Sequence, residues 1–167
     1  MLALLACLIL SGCGRNEPLK VGGMAPELAA LGMDGKPFKL GDMTPGKVAV
    51  VQFYAGACCD DQLPATNQVY LDARGDGVSV LAVNVLDPEE VVREQIERLG
   101  LAFQVALDPM RITVKRYDVL RLPTTFIIDG AGVVRGKIVG RVSREDLARR
   151  VKAALDSTQP RKTKQIE

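Results

Sequence analysis

Hydrophobic positions divide the chain into short apolar runs, most of them closed by a turn signal. Residues 2–10 are almost entirely apolar. That run falls short of the roughly 20 residues a helix needs to cross a bilayer and suits the apolar region of a signal peptide. Residues 14–22 are polar and glycine-rich and read as a tether. Ala25-Pro26-Glu27 opens a segment that predicts a small hairpin turning at Asp34-Gly35-Lys36. Residues 48–54 are continuously apolar except for Gln52, the mark of a strand buried on both faces. A helix is expected from near Cys59 to about Ala73, bent by Pro64. Gly75-Asp76-Gly77 then turns the chain into a second buried strand over 78–86.

The second half carries sharper end signals. Asp87 as N-cap, Pro88 at the first helical position and Glu90 completing a capping box predict a helix. Its apolar face holds Val92, Ile96 and Leu99, and Gly100 stops it. A short strand over 103–107 and a helix around 111–117 follow. Leu122-Pro123-Thr124-Thr125-Phe126-Ile127-Ile128-Asp129 is a strand introduced by a proline, joined through Gly130-Ala131-Gly132 to another over 133–139. The last helix starts at Ser143, has Asp146 three residues on, and carries the stripe Leu147, Val151, Leu155. Strands alternating with helices imply a sheet covered on both faces, and the late hairpin adds antiparallel strands. The expected fold class is α/β, a mixed central sheet flanked by helices.

Length and composition fit this reading. With 167 residues, 47% hydrophobic and 25% charged, the chain suits one globular domain with short extensions. A net charge of +2 gives no argument for nucleic acid. The absence of His removes imidazole bases, Cys-His dyads and His-ligated metals, and neither metal nor cofactor is expected. Leu10-Ser11-Gly12-Cys13 resembles a bacterial lipobox, in which the Cys is acylated and becomes the mature N-terminus. The organisation expected is a signal peptide over 1–12, a lipidated Cys13 and tether over 13–22, a domain over 23–157, and a polar, disordered tail over 158–167. The domain would face the periplasm or another extracytoplasmic space. Cys58 and Cys59 are then the remaining thiols, in an oxidising compartment where spare thiols are rare.

The order of elements and the motifs resemble the thioredoxin-like superfamily, in particular the membrane-tethered TlpA/ResA-type redoxins, over roughly residues 21–155. Gly23-Met24-Ala25-Pro26 with Asp34-Gly35-Lys36 is similar to the family's N-terminal hairpin. Val50-Val51-Gln52-Phe53-Tyr54-Ala55 is similar to the strand leading to the active site. Leu122-Pro123-Thr124-Thr125-Phe126 is similar to the cis-proline loop, and Ile127-Ile128-Asp129 with Gly130 and Gly132 to its exit hairpin. The resemblance implies a thioredoxin-like fold with an added N-terminal β-hairpin and a cis Leu122–Pro123 bond beside the cysteines. It also implies an exported thiol-disulfide oxidoreductase in which Cys58 attacks and Cys59 resolves the mixed disulfide or holds a strained vicinal one, with Leu122, Pro123 and Thr124 positioning the substrate. The implied partners are protein thiols or disulfides and an electron-donor protein. Three departures stand out. The family separates its two cysteines by two residues, whereas Cys58 and Cys59 are adjacent; Gln62 stands at an acidic position; Gln52 stands where some relatives keep a buried carboxylate.

Elementary chemistry sharpens the expectation for the adjacent pair. A helix start favours thiolates, but Asp60 and Asp61 oppose them, and no cation stands nearby in sequence. Neighbouring Cα atoms lie about 3.8 Å apart, whereas disulfides usually span about 4.4–6.8 Å. Weakly acidic thiols and a poor general disulfide reductase are therefore expected. The alternative is a redox-weak binding module for a soft metal or a protein partner. A peroxiredoxin-type peroxidase ranks lower, because residues 53–57 lack the Thr or Ser and the Pro that such enzymes place before their reactive Cys.

Overall fold

The computed structural model describes residues 19–43 and 48–158. The expected signal peptide, Cys13, most of the expected tether and residues 159–167 of the expected tail lie outside the described residues. In chain order the elements are β1 (Leu31–Gly32), α1 (Leu40–Met43), β2 (Val48–Tyr54), α2 (Gly56–Cys59) and α3 (Leu63–Ala73). Then come β3 (Val78–Asn84), α4 (Glu89–Leu99), β4 (Gln104–Leu107), α5 (Ile112–Arg116), β5 (Thr124–Ile128), β6 (Val134–Val139) and α6 (Arg144–Thr158). They build a six-stranded mixed sheet in the order β1-β4-β3-β2-β5-β6. β2, β3 and β4 run parallel, while β1, β5 and β6 pair antiparallel to their neighbours.

The apolar run over 48–54 explains the centre of the sheet. All seven residues of β2 are buried because both faces are covered. On one face Val48, Val50 and Tyr54 pack with Leu63, Val69, Val92, Leu147 and Val151 from α3, α4 and α6. On the other, Ala49, Val51 and Phe53 meet Leu28, Leu40, Val114, Tyr117 and Phe126. Phe53, Tyr117 and Phe126 form a tilted trio with centroids 5.2–5.9 Å apart. Each such large apolar side chain contributes about 1.5–3 kcal/mol by leaving water. The N-terminal hairpin forms as expected: Gly32 N–H donates to Lys36 C=O, Phe38 N–H to Ala30 C=O, and Gly35 takes a positive φ in the turn. Residues 22–25 bind along the sheet edge, where Gly22 N–H donates to Val134 C=O.

Two local expectations are revised. The helix expected from Cys59 to Ala73 is three pieces: one turn of α2, a 3-10 turn over Asp60–Gln62, and α3, which begins at Leu63. Pro64 does not bend a helix; it sits in the first turn of α3, where its missing N–H leaves no bond unmade. Asp87 does not cap α4, whose N-cap is Pro88 with no side-chain cap bond. The Asp87 carboxylate is occupied elsewhere, as described below.

Candidate active site

β2 runs straight into the cysteine turn. Ala55 C=O accepts from Cys58 N–H and Cys59 N–H, which winds the one-turn α2. That winding points the two sulfur atoms into different surroundings. Cys58 is exposed, whereas Cys59 is fully buried in the core layer with Tyr54, Leu63 and Leu147. The two are joined as a disulfide with a Cα–Cα distance of 3.8 Å. The Cys58 sulfur lies 3.6 Å from the Ala55 carbonyl oxygen.

The first N–H of this turn is held from a distance. Gly56 N–H donates to Asp87 Oδ2 at 2.6 Å, and Asn84 Nδ2 donates to the same oxygen at 2.6 Å. Gln95 closes on Gly56 so tightly that a Cβ there would collide with its side-chain nitrogen. Tyr54 Oη donates to Gln95 Oε1 at 3.4 Å. Burial pushes the Tyr54 hydroxyl up to about 12, with the Asp87 and Asp60 carboxylates acting in the same direction against a hydrogen bond from Asn84.

The far side of the turn is ringed by ion pairs. Arg98 Nη2 donates to Asp60 Oδ2 at 2.8 Å. Arg141 grips Asp61 through Nε at 3.2 Å and Nη2 at 3.1 Å, and the same Nη2 donates to Cys58 C=O at 2.9 Å. The expectation that nothing offsets the two aspartates therefore changes. Their cations come from 38 and 80 residues away, beyond the reach of any local pattern. Gln62 is buried and latches onto the backbone beside Arg141: its Nε2 donates to Val142 C=O at 2.8 Å, and its Oε1 accepts from Val142 N–H at 2.9 Å.

The proline loop meets the same end of the sheet. Leu122–Pro123 is a cis peptide bond. Thr124 pairs with Phe53, so Pro123 stands where β2 passes into the cysteine turn. Pro123 C=O accepts from Gly140 N–H at 2.8 Å, and Thr124 Oγ1 donates to Arg121 C=O at 2.6 Å. Pro123 and Thr124 are buried, and Leu122 is half-buried and packs against both core layers. One strand position below lie Gln52 and its register partner Thr125. Among the described residues, both polar atoms of the Gln52 side chain and Thr125 Oγ1 are buried without a hydrogen-bond partner. Cys13 lies outside the described residues. Among those described, no group of His, Cys, Asp and Glu is arranged to hold a metal ion, and no helix is long and apolar enough to cross a membrane.

Comparison with known proteins bears on this geometry. The model of the AhpC/TSA family matches residues 21–137. The thiol-disulfide oxidoreductase ResA of Geobacillus kaustophilus is 34% identical over 135 residues, which cover 80% of this chain and 77% of that protein. ResA of Bacillus subtilis is 31% identical over 130 residues, covering 77% and 72% respectively. A crystal structure of a thiol:disulfide interchange protein from Chlorobium tepidum, of the thioredoxin family, superposes with a TM-score of 0.72 at 28% identity, covering 80% of this chain and 97% of that one.

Proposed function

Because the chain belongs to the AhpC/TSA family, with thiol-disulfide oxidoreductases among its relatives, we propose that it is an exported, membrane-anchored thiol-disulfide oxidoreductase working through Cys58 and Cys59. One observation carries the reading: an exposed cysteine, Cys58, is bonded to a fully buried one, Cys59. Such an asymmetric pair separates the two roles. In the reduced form the Cys58 thiolate attacks a substrate disulfide, and the displaced substrate sulfur leaves as a thiolate and takes a proton. Cys59 then gives up its proton and attacks the Cys58 sulfur. The mixed disulfide breaks, the second substrate thiol departs, and the Cys58–Cys59 bond closes. Two electrons pass from protein to substrate, and a donor protein restores the dithiol. Leu122, Pro123 and Thr124, at the same end of the sheet as the cysteine turn, position the substrate strand. Cys13 carries the lipid that ties the domain to the cell envelope.

Cys59→Ser tests the chemistry. Without a resolving thiol, the variant accumulates mixed disulfides, and mass spectrometry finds them on Cys58. Cys58→Ser accumulates none. Trapping on neither variant overturns the reading. Cys13→Ala tests the anchor and releases the protein from membranes; a variant that stays bound removes the lipid from the proposal.

A further inference from the structure

We propose that Arg141 is a positioning residue for the exchange reaction: locked in place by Gln62 and Asp61, it is the cation that supports the Cys58 thiolate. This inference rests on Cys58 being the attacking sulfur, as proposed above.

Arg141 is exposed, and an exposed arginine normally samples many rotamers. Here it is fixed at both ends. Its backbone neighbour Val142 is held by the two hydrogen bonds of the buried Gln62 side chain. Its guanidinium makes two bonds to Asp61 and a third to the Cys58 carbonyl. The bond to the Cys58 carbonyl puts the Arg141 charge on the residue that carries the attacking sulfur. Once the disulfide opens, a positive charge held on that residue favours its thiolate over its thiol.

Other charges around the turn do not take this part. Asp87 binds Gly56 N–H, so it places negative charge on the turn and occupies a donor that could have faced the thiolate. Asp60 is paired with Arg98, whose guanidinium is turned to that carboxylate. The Tyr54 hydroxyl is buried and bonded to Gln95. Among the described residues, Arg141 is the cation hydrogen-bonded to a cysteine of the turn. Asp61 holds it in place and also tempers it, since the carboxylate neutralises part of the charge the thiolate feels.

This arrangement predicts opposite effects at the two ends of one ion pair. The readout is alkylation of Cys58 by iodoacetamide in the reduced full chain across pH, followed on the Cys58 peptide so that Cys7, Cys13 and Cys59 are counted apart. Arg141→Gln moves the profile to higher pH and slows alkylation near neutrality about fivefold, the effect of one unit charge a few ångströms away in a watery setting. Asp61→Asn moves it to lower pH and speeds alkylation. Arg141→Lys, which keeps the charge and loses the fork, falls between wild type and Arg141→Gln. Profiles that stay in place in both Arg141→Gln and Asp61→Asn overturn the inference, as does a shift of the same sign in both. Because no substrate is present, the profiles judge Arg141 even if the mixed-disulfide trap fails and the oxidoreductase reading falls.

Discussion

A side chain at Gly56 would have to displace the buried Gln95 amide, which Tyr54 holds. An added Cβ would meet the Gln95 side chain and lie 3.2 Å from Asp87 Oδ2. Gly56→Ala is expected to destabilise the protein by about 1–3 kcal/mol through overpacking, measured as the midpoint of urea unfolding. Gln62 makes the complementary case. Gln62→Met leaves the buried Val142 N–H and C=O without partners, and a loss of about 1–3 kcal/mol is expected in the same measurement. An unchanged midpoint in either variant would show that the turn repacks freely. The cysteine pair itself is legible in sequence, because adjacent cysteines after a buried strand are conspicuous. Arg141, Arg98 and the true work of Asp87 are not. They meet the turn only after the chain has folded back, and nothing beside them in sequence distinguishes them from ordinary surface charges.

At the scale of elements, hydrophobic runs were informative and capping rules less so. The buried strand over 48–54 follows from a run apolar but for Gln52, that over 124–128 from its proline entry, and Ser143 caps α6 as its position suggests, with Asp146 N–H donating to its hydroxyl at 3.1 Å. Asp87 shows why a capping rule can miss. A carboxylate that satisfies the rule locally can be drawn to a stronger demand elsewhere, here the Gly56 N–H and the Asn84 amide. Asp129 is the element-scale counterpart, joining β5 to β6. Burial works against its charge, but N–H groups of Val133 and Ala131 and the Arg135 guanidinium outweigh that and hold its carboxyl below the usual range. A carboxyl lowered in the folded state adds stability above its unfolded pKa of about 3.9, and loses it as pH falls through the folded value. Asp129→Asn is therefore expected to be less stable than wild type at neutral pH, with the two converging in strong acid. A constant gap between their unfolding curves from pH 7 to pH 2 would contradict this.

For the whole molecule, the alternation of strands and helices was enough to place a mixed sheet with helices on both sides, and the proline-introduced strand was enough to locate the end of the sheet that matters. The electrostatic setting was not legible, because it is made by charges from separate elements. With Asp60 and Asp61 both paired, the electrostatic part of the expected weakness shrinks, while two other causes remain. Adjacent cysteines must close a small ring, and the buried Gln52 cannot take up a proton as a carboxylate can. Insulin reduction driven by dithiothreitol should accordingly be slower than that of an ordinary thioredoxin; equal turnover, lost in Cys58→Ser, would show that adjacency is no handicap. The central claim is that Cys58 and Cys59 cycle between disulfide and dithiol. The most direct test is their reduction potential, measured by equilibrating the full chain in glutathione buffers of graded ratio and counting open and closed pairs by mass spectrometry. A single reversible two-electron transition confined to Cys58 and Cys59 is the predicted result. A pair that stays closed, or stays open, across the whole range would contradict it.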